Sequence, residues 1–112
     1  MNIQIYYYKK NFDVQKAERY FKERRIPFQL MDLRKHRLGE RELRLMISSA
    51  GIEELMDRSS MKAKEHPAYY YDRESLLIPA LIEDPWLMKS PVVRNGSSVT
   101  VGFRPEVWEN WK

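Results

Sequence analysis

The sequence predicts an α/β protein, and three observations carry that expectation. Residues 2–8 alternate like a strand, residues 13–25 change to a helical period and residues 26–33 return to an extended pattern, all within about thirty residues. Near the far end, Asn95-Gly96 stands between two short runs of β-forming residues. Between these regions the apolar spacing is helical.

In the opening segment Ile3, Ile5 and Tyr7 recur at every second position, and β-branched and aromatic side chains suit a pleated strand. From Asp13 to Arg25, Val14, Ala17 and Phe21 line one helical face while Lys16, Glu18, Lys22 and Glu23 occupy the rest. A second strand is expected from Ile26 through Leu30 and onward, with Pro27 tolerated near its start because that nitrogen need not join a ladder. Strand, helix and strand in so short a stretch imply a parallel pair with a right-handed crossover. Residues 33–39 read as a basic connector. A helix is expected over Glu40–Ser49 with Leu43, Met46 and Ile47 on one face, and Gly51 closes it or opens a short helix over Ile52–Met56.

The stretches Arg58–His66 and Tyr69–Tyr71 fit neither period. Asp72 is a good N-cap type for a helix through Leu76, Leu77, Ala80 and Leu81, in which Pro79 predicts a kink or two short helices. Pro91–Arg94 and Ser98–Phe103 read as hairpin arms turning at Asn95-Gly96, a pair suited to a type I′ turn. Pro105 suits the first position of a last helix carrying Val107, Trp108 and Trp111. The chain thus reads as one domain, residues 1–112, with a core from about 1–32 and 88–112 and a helical insertion at about 33–87.

Composition narrows the chemistry. With 43% hydrophobic and 32% charged residues, the chain belongs to the soluble globular class. No apolar run reaches the length of a membrane span and the first residues lack the apolar stretch of a signal peptide, so a cytoplasmic location is expected. The absence of cysteine excludes disulfides, thiolate nucleophiles and thiolate metal ligands together. His36 and His66 stand apart among charged neighbours without ligand spacing, so no metal and no cofactor is expected. Residues 1–44 carry a net charge of +6 and residues 45–112 a net of −2. That asymmetry reads either as a solvated helix face or as a surface for nucleic acid or an acidic protein. No named nucleic-acid-binding motif is present.

Ile5-Tyr6-Tyr7-Tyr8-Lys9-Lys10-Asn11-Phe12-Asp13-Val14-Gln15-Lys16-Ala17 resembles the opening of the ArsC/Spx family, I-Y-x-x-x-x-C-x-x-x-x-K-A, without a gap. Leu87-Met88-Lys89-Ser90-Pro91-Val92-Val93 is similar to the family's L-I-K-R-P-I-V, Val101-Gly102-Phe103 to its V-G-F, and Gly51 with Glu54-Leu55 to its central G-x-x-x-L. The resemblance covers nearly the whole chain. It implies a thioredoxin-like β-α-β and β-β-α sheet with a helical insertion, and a cis bond at Pro91 close to the helix that starts near Asn11.

The departures matter as much as the matches. Reductases of this family place a cysteine at a helix N-terminus, where the dipole favours a thiolate, and clamp arsenate with arginines. Asn11 holds the cysteine position and Ser90 replaces the arginine before the motif proline. The mid-chain arginine falls at Arg58 or Ser59, and Arg104 beside Pro105 matches the last one. The C-x-x-C switch of Spx members corresponds to Asn11 and Val14, so no such switch exists here.

Three functions are consistent with this pattern. One is a non-catalytic protein acting through another protein; Spx-type members imply the C-terminal domain of the RNA polymerase α subunit, a transcription-linked role and a contact around Gly51. Another is an arsenate reductase-like anion-binding module built from Asn11, Arg58 and Arg104. A third is a degenerate glutaredoxin-coupled reductase. Plainer roles stand beside each residue: Asn11 as a helix N-cap, Arg58 and Arg104 as surface ion pairs, Tyr69–Tyr71 and Trp108/Trp111 as core and core-edge aromatics.

Overall fold

The β-branched and aromatic runs form four strands in one sheet: β1 (Ile3–Tyr7), β2 (Phe28–Asp32), β3 (Val92–Asn95) and β4 (Ser98–Val101), in the order β2-β1-β3-β4. The computed structural model describes residues 1–112. β1 runs parallel to β2 and antiparallel to β3, and β3 pairs antiparallel with β4. Six helices accompany them: α1 (Phe12–Glu23), α2 (Glu40–Ala50), α3 (Ile52–Leu55), α4 (Met61–Glu65), α5 (Glu74–Glu83) and α6 (Pro105–Trp108). Short 3₁₀ turns at Pro67–Tyr70 and Pro85–Leu87 flank α5. The order matches the thioredoxin-like layout expected from the sequence.

The period-two alternation of the strands sorts the apolar side chains onto two layers. Ile3, Ile5 and Val93 pack with Ala17, Tyr20 and Phe21 of α1 and with Trp108 of α6. On the opposite face Tyr6, Val92, Val99 and Val101 meet Leu43 and Met46 of α2, together with Leu55, Leu77, Ile78 and Leu81. Trp108 is only 2% exposed. Its indole N–H donates to the Thr100 hydroxyl at 2.8 Å, which satisfies the one polar atom that its burial takes from water.

Several boundaries differ from the sequence expectation, each for a local reason. β2 starts at Phe28, after Pro27, so the proline stays outside the ladder. α5 is capped at Arg73 rather than Asp72: the N–H groups of Leu76 and Leu77 both donate to the Arg73 carbonyl, one residue later than expected. Pro79 does not divide that helix. The bond it removes would have reached the Ser75 carbonyl, in the exposed first turn, where water can take the partner's place.

The hairpin turn is also displaced by one residue. Asn95 pairs with Ser98, so the two-residue loop is Gly96-Ser97. Gly96 has φ 61°, and Ser97 does not have a positive φ. That pattern suits a turn of the II′ kind, with glycine first, rather than the expected I′ turn at Asn95-Gly96. The Tyr69–Tyr71 run divides: Tyr71 packs against the core edge as expected, whereas Tyr70 is 77% exposed. Val107 is also exposed, so Trp108 alone anchors α6. No helix is long and apolar enough to cross a membrane.

Candidate functional site

Pairing of β1 with β3 brings the loop after β1 against the segment that precedes β3. Asn11 sits at the end of that loop with extended backbone and caps α1. Its side-chain oxygen accepts the Val14 N–H at 2.9 Å, and its amide nitrogen donates to the Ser90 carbonyl at 2.8 Å. Ser90 answers with a hydroxyl that accepts the Tyr8 N–H at 3.0 Å, and the Ser90–Pro91 bond is cis. The Asn11 amide thereby caps α1 with its oxygen and ties the loop to the segment before β3 with its nitrogen.

The groove beside Asn11 carries Asp13, Glu54 and Asp57 against Lys89 and Arg104. Carboxylates outnumber cations there, whereas a second groove that Asn11 and Ser90 also line carries Lys9, Lys62 and Lys89 against Asp57 alone. Arg104 is also occupied. Its guanidinium lies 3.4 Å from Glu54 and 3.9 Å from Glu106, and its Nε donates to the Val101 carbonyl at 3.2 Å. Arg58 does not line this groove. It forms a two-point bond with Glu53 at 2.8 and 2.9 Å, donates to the Tyr69 carbonyl and lies over the Tyr69 ring. The bonds between Arg58 and Glu53 hold the carboxyl below its ordinary pKa and raise that of the guanidinium.

Of the residues singled out in the sequence, Asn11, Ser90, Pro91 and Arg104 are therefore neighbours of one groove or its rim, whereas Arg58 serves the junction of α3 with the Pro67–Tyr70 turn. Gly51 links α2 to α3 at φ 90° and ψ 145°, and a Cβ added there would meet nothing within 4 Å.

Two polar clusters were not visible in the sequence, because their members lie far apart along the chain. The buried Tyr6 hydroxyl donates to Glu42 at 2.9 Å, and the same carboxylate takes the Gly39 N–H at 3.1 Å and faces His36 at 3.3 Å. Burial, reinforced by Glu42, pushes the Tyr6 hydroxyl up to about 12. Burial works against the charge on Glu42, yet the bonds from Gly39, Tyr6 and His36 hold its carboxyl below the ordinary value. This network pins the 33–39 connector to β1. The second cluster is His66 with Asp84 at 2.7 Å. His66 Nδ1 accepts the Ala68 N–H at 3.0 Å, so Nε2 carries the proton toward Asp84. With its lone pair already engaged, the ring has no free basic nitrogen for acid–base work. No cluster of three or more His, Cys, Asp or Glu side chains could hold a metal ion.

Comparison with known proteins agrees with this geometry. The family model for the ArsC family matches residues 6–111. The uncharacterized protein YusI of Bacillus subtilis (strain 168) is 26% identical over 99% of both chains. A solved Bacteroides fragilis structure, described as related to the ArsC family, is 26% identical and covers 100% of both chains with a TM-score of 0.81. An arsenate reductase from Vibrio cholerae has the same fold, with a TM-score of 0.82 over 96% of this chain and 94% of its own at 20% identity. With the match running from β1 to the end of the last helix, the chain belongs to the ArsC family.

Proposed function

We propose that this chain is a non-catalytic ArsC-family protein that works in the cytoplasm by binding another protein. The observation that carries this reading is the double use of Asn11: at the position where the family resemblance puts a nucleophilic cysteine, both amide atoms hold backbone. Thiol attack on arsenate requires a sulfur that the chain does not contain. The anion-binding alternative is weakened because both candidate arginines are already paired, Arg104 with Glu54 and Arg58 with Glu53.

Resemblance to Spx members makes the C-terminal domain of the RNA polymerase α subunit the first partner to test, and the open surface at Gly51 the first contact. The chain is immobilised and titrated with that purified domain, and the same surface is used to capture proteins from its own cell extract. Saturable association with the α-subunit domain is expected. A failure to bind it, together with a surface that retains no cellular protein above a blank, would remove the protein-binding reading.

A further inference from the structure

We infer that a basic cleft, lined at one end by Asn11 and Ser90, binds an acidic segment of a partner polypeptide, a proposal that rests on the protein-binding reading and gives it a location. Two adjoining grooves share Tyr8, Lys62 and Trp86. One continues along Lys35 and the arginines of the 33–39 connector, the other along Lys9 and Lys89. They lie between the loop after β1, the start of α4 and the Pro85–Leu87 turn.

The arginines there are already engaged. Arg34 is 3.1 Å from Asp32, and Arg37 is 3.6 Å from Glu83. Lys9, Lys35, Lys62 and Lys89 form no salt bridge at all. The remaining wall carboxylates are hydrogen-bonded: Asp84 to His66, and Asp57 accepts the Ser59 N–H and hydroxyl. The cleft is left with a surplus of ammonium groups that no carboxylate neutralises.

Trp86 decides which kind of polyanion fits. The Lys62 ammonium lies over its ring at 4.4 Å from the centroid, and the His66 ring meets it edge to face at 5.7 Å. Single-stranded nucleic acid is held by free aromatic faces and by arginine planes; here Lys62 and His66 occupy the Trp86 ring and both arginines are paired, which leaves Tyr8 as the one unpartnered aromatic of the lining. Lysines act as flexible point charges, which suit carboxylates spaced along a polypeptide. The neighbouring groove adds Asp13 and Glu54, whose charge repels the same segment and confines it to the lysine side.

The test is a fluorescence-anisotropy titration of the intact protein with labelled oligoglutamate, oligoglutamine and single-stranded oligothymidylate over a range of salt. Oligoglutamate is expected to bind with an affinity that falls as salt rises. Lys62→Gln with Lys89→Gln should weaken it by at least about tenfold, whereas Lys22→Gln with Lys112→Gln, outside the cleft, changes it less than about twofold. Absence of oligoglutamate binding, equal losses in both double variants, or tighter binding of oligothymidylate through the same lysines would overturn the assignment. A cellular partner bound equally by wild type and by the Lys62/Lys89 variant would also overturn it, while leaving the protein-binding reading intact.

Discussion

Replacing Asn11 with alanine removes the acceptor of the Val14 N–H and the donor to the Ser90 carbonyl in one step. Loss of such a cap costs about 1–2 kcal/mol. In a domain of this size each kcal/mol lowers the melting temperature by about 4–8 °C, which thermal denaturation followed by circular dichroism would read. Asn11→Asp keeps the acceptor and places a negative charge at a helix N-terminus, so it should lose less than Asn11→Ala. The capping role was legible because asparagine is among the best N-cap types. The partners of Arg58 were not, since Glu53 and the Tyr69 carbonyl reach it only once α3 and the later turn have folded. Glu42 gives a second test. Its folded pKa is depressed, so its stabilisation is complete above the unfolded value of about 4.3 and is lost as pH falls through the folded one. Glu42→Gln should therefore cost about 1–2 kcal/mol at pH 7 and much less at pH 3, measured by urea denaturation at both pH values.

Among the elements, the α2–α3 junction depends on one backbone conformation. Gly51 holds φ 90° and ψ 145°, in a region that side chains resist, although open space surrounds the missing Cβ. Gly51→Ala should cost about 1–3 kcal/mol from backbone strain alone, seen as a lower urea midpoint at unchanged slope. The sequence placed β1, α1, α2 and the closing hairpin because period and turn residues agree there. It misplaced the hairpin turn by one residue because glycine satisfies both I′ and II′ geometry, and only the register Asn95 with Ser98 distinguishes them. Residues 58–71 gave no period because their short α4 and 3₁₀ turn bury only single alanines, Ala63 and Ala68. Two caps, from Ser60 to Ala63 and from His66 to Ala68, hold that stretch in place of an apolar face.

At the scale of the molecule, two separate layers of side chains share one sheet, and Trp108 closes the layer over α1. It packs against Tyr20, Phe21 and Phe103 with ring centroids 5.0–5.5 Å apart. Trp108→Ala should cost about 3–5 kcal/mol by thermal or urea unfolding, far more than the length of four-residue α6 suggests. The family fold survives in these layers, while the groove at Asn11 has lost the chemistry that the resemblance implies. The most direct test of that separation is a thermal-shift titration with arsenate, phosphate and sulfate, in which stabilisation by surface exclusion is the part that neither saturates nor depends on Arg104. A non-catalytic site predicts no saturable rise in melting temperature with any of the three, and the same behaviour in wild type and Arg104→Ala. A saturable rise approaching about 1.4 kcal/mol at a tenfold excess over Kd, abolished in Arg104→Ala, would contradict it and restore an anion-binding active site.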